Sequence, residues 1–171
     1  MPRYVALLRG VSPMNARSPD LQRCFEAAGF SDVRTLLSSG NVVFNARTTS
    51  CAGLERRAEA AMQSTLDRVF DTFVRPAEFL RELVASEPFA EFKLPPAAKP
   101  VVTFLRRPSA HTLALPIERD DACVLKFTGS EVLSFYVPGP KASAFMAFLE
   151  RSFSKDITTR TLETVRKCSV A

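Results

Sequence analysis

Residues 32–44 read DVRTLLSSGNVVF, two short apolar runs on either side of a small polar centre, Ser38-Ser39-Gly40-Asn41. Read alone, the stretch is two strands joined by a hairpin turn, because Gly and Asn accept turn geometry that other residues resist. It decides the fold through what flanks it. Upstream, RYVALLR at 3–9 is a nearly continuous apolar run, the mark of a strand covered on both faces. Between them SPDLQRCFEAAGF reads as a helix, with Ser18 as cap, Pro19 in the first turn, and Leu21, Cys24, Phe25 and Ala28 at helical spacing before Gly29 stops it. Downstream, a stripe of Leu54, Ala58, Met62, Leu66 and Val69 predicts a second helix over 52–70. DTFVR then reads as a strand and PAEFLRELVAS as a helix from Pro76. Strand, helix, strand, strand, helix, strand is the split βαβ order of ferredoxin-like domains.

The second half echoes this order. Residues 93–100, KLPPAAKP, carry three of the chain's 12 prolines and read as an extended spacer. VVTFL follows as a strand, then a looser stretch through His111 to Pro116 with room for a short helix. CVLKF and VLSFYV flank Thr128-Gly129-Ser130-Glu131, where Gly129-Ser130 suits a two-residue hairpin loop. KASAFMAFLERSF is an amphipathic helix whose Phe145, Phe148 and Phe153 read as core, and DITTRTLETVRKCSVA is a short extended piece before a last helix. The expected fold is therefore α+β, two ferredoxin-like halves in a duplicated architecture. The first lobe spans 1–92 and the second 101–171.

Composition narrows the function. A chain of 171 residues with 46% hydrophobic side chains has ample material for a core. No run approaches the ~18 unbroken apolar residues of a membrane helix, and MPRYVALLRG reads as a strand instead of a signal peptide, so a cytoplasmic protein is expected. Cys24, Cys51, Cys123 and Cys168 are scattered and there is one histidine, a pattern that supplies no metal site and fits reduced thiols. The net charge of +5 is dispersed among acids, which permits an anionic ligand but lacks the basic stripe of a nucleic-acid binder. The first strand offers Tyr4, and NVVF only Phe44, too few aromatics for an RNA-stacking sheet.

Catalytic patterns are sparse. His111 lies in a loop beside Ser109 and Thr112 and reads as a solvated residue. Asp120 and Asp121 point to opposite faces of an extended segment and read as a solvated loop. Neither a P-loop nor a GxGxxG fingerprint occurs. What remains is a set of polar residues at strand ends: Arg9 and Gly10, then Ser38, Ser39 and Asn41 around Gly40, then Thr158, Thr159, Arg160 and Thr161 before the last helix. A guanidinium beside hydroxyls and a helix N-terminus suits a phosphate or carboxylate. Thr161 or Thr159 is equally readable as a plain helix cap.

Together YVALLRGVSPMNA, FEAAGFSDVRTLLSSGNVVF, Pro88-Phe89, KPVVTFLRRP and DITTRTLETVRK resemble the uncharacterised bacterial proteins grouped as domain-of-unknown-function family 1697. Two positions depart from that pattern: Leu162, where members usually carry a large aromatic, and Glu163, where Asp or Asn is common. The resemblance implies a two-lobed α+β fold of ferredoxin-like halves and assigns no activity, catalytic residue or cofactor. The expected function is binding of a small phosphate- or carboxylate-bearing ligand in a cleft between the lobes. Arg9 and Arg160 would neutralise its charge, Ser39, Asn41 and Thr159 would orient it around Gly40, and Lys141 would stand at the rim. The alternatives are a structural or protein-interaction module without a small ligand, and a weak nucleic-acid binder.

Overall fold

The computed structural model describes residues 1–171, the side chain of Ala142 excepted. Among the described residues the chain forms an α+β structure of two antiparallel sheets and five helices. It divides into two compact units, Met1–Glu82 with Lys167–Ala171, and Leu83–Arg166.

The first unit runs β1 (Arg3–Leu8), α1 (Ser18–Ala27), β2 (Ser31–Leu36), β3 (Asn41–Asn45), α2 (Cys51–Thr65), β4 (Thr72–Pro76) and α3 (Ala77–Ala85). Its strand order is β2-β3-β1-β4, all antiparallel, with Tyr4 opposite Phe44 and Val5 opposite Arg75. Alternation sends Tyr4, Ala6 and Leu8 of β1 and Val42 and Phe44 of β3 into one core with Phe25, Leu54 and Met62 of the helices. The other set, Val5, Leu7, Val43 and Phe73, is also fully buried, in keeping with the unbroken apolar runs. Helix α1 begins one residue earlier than its sequence signals: Arg17 is the cap residue, with no side-chain cap bond, and Ser18 is already helical. Gly29, at φ +90°, ends it. Arg57 of α2 seals that end, donating to the Ala28 carbonyl at 2.9 Å with its guanidinium 4.5 Å over the Phe30 ring.

Helix α2 starts at a true cap, where Ser50 Oγ accepts from Gly53 N at 3.1 Å. It stops at Thr65, short of the 70 expected. Ser64 and Thr65 turn their hydroxyls back onto the carbonyls of Ala60 and Ala61, and Leu66 leaves in extended conformation. Val69 therefore lies beyond the helix and is exposed.

The second unit holds β5 (Lys99–Leu105), β6 (Ile117–Arg119), β7 (Ala122–Phe127), β8 (Glu131–Tyr136), α4 (Ala142–Phe153) and β9 (Ile157–Thr161), with α5 (Leu162–Ser169) following. Its strand order is β6-β7-β8-β5-β9. The β7–β8 hairpin closes through Gly129-Ser130, with Gly129 at φ +104° and Thr128 N donating to Glu131 O at 2.9 Å. No helix forms between β5 and β6. There Ser109 N is drawn to Gly129 O at 2.7 Å, and Leu113 and Leu115 pack as loop residues on the core of Val101, Leu105, Val132, Leu149 and Ile157. His111 is half-buried, not solvated, its ring edge-on to Phe127 and Phe153 at 5.5 and 5.2 Å.

Among the described residues no helix is long and apolar enough to cross a membrane, and no three His, Cys, Asp or Glu side chains stand where they would hold a metal ion. The four cysteines are free thiols. Burial pushes the Cys24 thiol up, against a smaller opposing hydrogen bond from Thr65, and it pushes Cys123 up as well.

Candidate functional site

In the first unit the 36–41 turn meets the loop that leaves β1. Leu36 and Asn41 are paired, so four residues, 37–40, make the connection. Leu37 and Gly40 both take positive φ, +58° and +80°. Asn41, 1% exposed, donates from Nδ2 to Leu36 O and to Ser39 Oγ, each at 3.0 Å, and so locks the turn from inside. Leu8 N donates to Gly40 O at 2.8 Å, carrying the β1–β3 pairing up to the glycine. A Cβ on Gly40 would stand 2.8 Å from Val11 Cβ and 3.1 Å from Leu8 Cβ. Only glycine lets the turn approach the loop this closely.

The facing loop bonds to itself. Asn15 accepts from Ser12 N at 2.8 Å and donates to Gly10 O at 2.8 Å, while Ser12 Oγ accepts from Met14 N at 3.3 Å. Pro13, Met14 and Asn15 are exposed at its tip. Between loop and turn lies a cavity of about 240 Å³ with apolar walls from Val11, Pro13, Leu21 and Leu37 and a polar side from Arg17, Ser18, Thr35, Ser38 and Asn41. Arg17 is its one charged lining residue. Among the described residues that guanidinium makes no hydrogen bond and no ion pair.

The sequence-derived candidates fall into both units. Gly40 and Asn41 line the cavity, and Ser39 supports it by holding Asn41. Arg9 follows β1 with its backbone N–H on Asp71 O at 2.9 Å and does not line the cavity. In the second unit, Thr159 Oγ1 lies 2.8 Å from Thr103 Oγ1 across the β5–β9 ladder. Arg160, 8% exposed, donates from Nη1 to Thr158 Oγ1 at 2.8 Å and to Thr159 O at 3.0 Å. Lys141 pairs with Asp120 at 3.1 Å beside a pocket of about 100 Å³. Asp120 and Asp121 form the turn between β6 and β7.

Of the two threonines readable as a cap, Thr161 is the one. Its Oγ1 accepts from Thr164 N at 3.3 Å and meets Thr164 Oγ1 at 3.0 Å at the start of α5. Replacing Thr161 by alanine is expected to cost about 1 kcal/mol, the usual worth of such a cap, read as a shift of the urea midpoint without a change of slope. Arg17 is the charged lining residue that the sequence candidates do not include. Its signal was its place directly before Ser18-Pro19, where the loop turns into α1.

A family model described as Protein of unknown function (DUF1697) matches residues 1–132. The match takes in the cavity, the loop and the turn, and the DITTRTLETVRK stretch lies beyond it. No curated protein matches the chain. Among solved structures the chain is similar to the conserved bacterial protein SP0830 from Streptococcus pneumoniae, at 18% identity and a TM-score of 0.69, over 99% of this chain and 97% of that one. That likeness is one of fold.

Proposed function

The chain belongs to the family of proteins of unknown function that matches it, and from that premise we propose that it binds a small anionic ligand in the cavity beside Arg17. The carrying observation is the unpaired guanidinium of Arg17 at a cavity whose turn and loop meet at Gly40. Arginine offers a planar fork of donors to a carboxylate or phosphate, and Ser18, Thr35 and Ser38 add hydroxyls on the same side. Ser39, Arg9, Thr159, Arg160 and Lys141 are proposed only as weaker anion-binding candidates, each outside the lining of the Arg17 cavity. The hydroxyls of Ser39 and Thr159 and the cations of Arg160 and Lys141 are already engaged within the protein. The proposed setting is the cytoplasm.

We also propose that the two units are versions of one ferredoxin-like plan joined through a spacer at 93–100. The order β7-β8-β5-β9 repeats β2-β3-β1-β4 position for position, with α4 in the place of α2 and the 106–116 loop in the place of α1. A second functional reading, a structural or interaction module without a small ligand, is favoured by Thr161 and Asn41, whose side chains cap a helix and seal a turn.

Thermal unfolding in the presence of acetate, benzoate or inorganic phosphate separates the two. A ligand that binds only the folded state raises the melting temperature with concentration. The expected result is a rise for at least one probe that Arg17→Gln abolishes, with the unliganded melting point nearly unchanged because Arg17 is exposed. A rise retained in Arg17→Gln moves the anion elsewhere. No rise with any probe favours the module.

A further inference from the structure

We propose that a second cavity of the first unit, between α1 and the segment leaving α2, binds an α-amino acid with an apolar side chain, held by its two charges. The cavity measures about 650 Å³, within the usual span of small-molecule sites, roughly 300–1,000 Å³. Its origin is the early end of α2. Ser64 and Thr65 turn their hydroxyls back and Leu66 leaves in extended conformation. Residues 65–68 and Phe70 then wall a gap whose other side is Asp20, Arg23, Cys24 and Ala27 of α1. Ala16 lines both this cavity and the one beside Arg17.

Its charged lining is two acids and two bases. Arg23 and Asp20, neighbours on α1, pair with each other. Asp67 and Arg68 do not: among the described residues neither side chain makes a hydrogen bond or an ion pair. The Arg68 guanidinium rests on the Phe70 ring, 4.8 Å from its centroid, and its Nη2 lies 3.8 Å from where a Cβ on Gly10 would stand. Stacking on a ring leaves the N–H edges of the fork free for a carboxylate. One unpaired cation and one unpaired carboxylate on consecutive residues call for a ligand with one charge of each sign close together. An α-amino acid meets this with its carboxylate on Arg68 and its ammonium on Asp67. A simple anion would leave Asp67 unpaired and be repelled by it.

The rest of the lining is apolar in effect. Cys24 and Phe70 are buried, and Ala16 and Leu66 pack on the same core. Burial pushes the Cys24 thiol up, so it stays uncharged. Asn15 is engaged with Gly10 O and Ser12 N, and the Thr65 hydroxyl with Ala61 O. An apolar side chain on the ligand takes this lining out of water, a gain that grows with the area covered.

The test compares L-leucine with glycine, N-acetylleucine and leucinamide by thermal unfolding just below neutral pH, where the last two each lack one of leucine's charges. Leucine is expected to raise the melting temperature in a saturable manner. The other three are expected to need about tenfold more or higher, for want of one charge-assisted bond or of the apolar side chain. Arg68→Gln is expected to remove leucine's advantage over leucinamide, and Asp67→Asn its advantage over N-acetylleucine. Both residues are exposed, so the variants keep the fold. Arg17→Gln is expected to leave the leucine response intact. A response lost in Arg17→Gln and kept in Arg68→Gln puts the ligand beside Arg17, which overturns this proposal and leaves the anion site standing. The proposal is also overturned if leucine gives no rise, if any of the other three compounds matches it, or if Arg68→Gln and Asp67→Asn both respond as the parent does.

Discussion

Phe44→Ala is expected to cost about 3–5 kcal/mol, the range for removing a large buried aromatic side chain. Phe44 is 0% exposed and lies on β3, between β1 and β2 in the sheet. Its ring stands 4.3 Å from that of Phe30, 5.6 Å from Phe25 and 5.9 Å from Tyr4, so one truncation removes contacts to α1, to the loop after it and to β1. Such a cluster leaves a cavity that rigid strand neighbours cannot collapse into. Against a total stability of roughly 5–15 kcal/mol, a loss of this size removes a large fraction of the folded margin. Urea unfolding followed by circular dichroism reads it directly, and Phe44→Leu serves as the control, expected to lose less because most of the volume stays. A loss under about 1.5 kcal/mol for Phe44→Ala, the range of volume-conserving swaps, would mean that Phe44 is not where the core of the first unit is anchored.

How far such a core can be read from sequence depends on whether local chemistry and tertiary contact agree. They agree at Tyr4, Phe44, Leu54 and Met62, where period-two and period-3.6 patterns point at one interior. They part at Val69, which continues the helical stripe of α2 in sequence but follows two hydroxyl residues that draw the chain out of the helix. They part again after β5, where the looser stretch through His111 to Pro116 has room for a short helix and the backbone at Ser109 instead bonds to the hairpin at Gly129. His111 shows the same limit. Nothing local tells that Phe127 and Phe153 converge on it. At the candidate site, residue types were legible and pairing was not. Thr159, Arg160 and Asn41 stand out in sequence for their donors and acceptors, and those same groups have partners inside the protein. Arg17 does not stand out in the sequence because an uncompensated charge is defined by the neighbours it lacks.

The glycine of the turn joins fold to function, and Gly40→Ala is the second large effect expected. Two costs add. A residue with a side chain at φ +80° pays about 1–2 kcal/mol for left-handed backbone. The new Cβ also meets Val11 Cβ at 2.8 Å, Val11 Cγ2 at 2.9 Å and Leu8 Cβ at 3.1 Å. Relieving such overpacking costs about 1–3 kcal/mol. Leu8 is held in the ladder by Gly40 itself, so the yielding partner is Val11 and with it the loop that walls the cavity. The two costs separate in the double variant Gly40→Ala/Val11→Gly, which removes both the Cβ and the Cγ2 that the new side chain meets. Most of the steric share is recovered there, the contact with Leu8 Cβ remaining, and the backbone share is not, so the double variant is expected to be less destabilised than the sum of the single ones by about 1 kcal/mol or more. The same pair decides what the close approach is for. If the cavity binds anions, Gly40→Ala loses the anion-dependent rise in melting temperature along with its stability, and Val11→Gly restores part of both. Stability that returns in the double variant while the parent never responded to anions would make the Gly40–Val11 contact a seal on the first unit and nothing more.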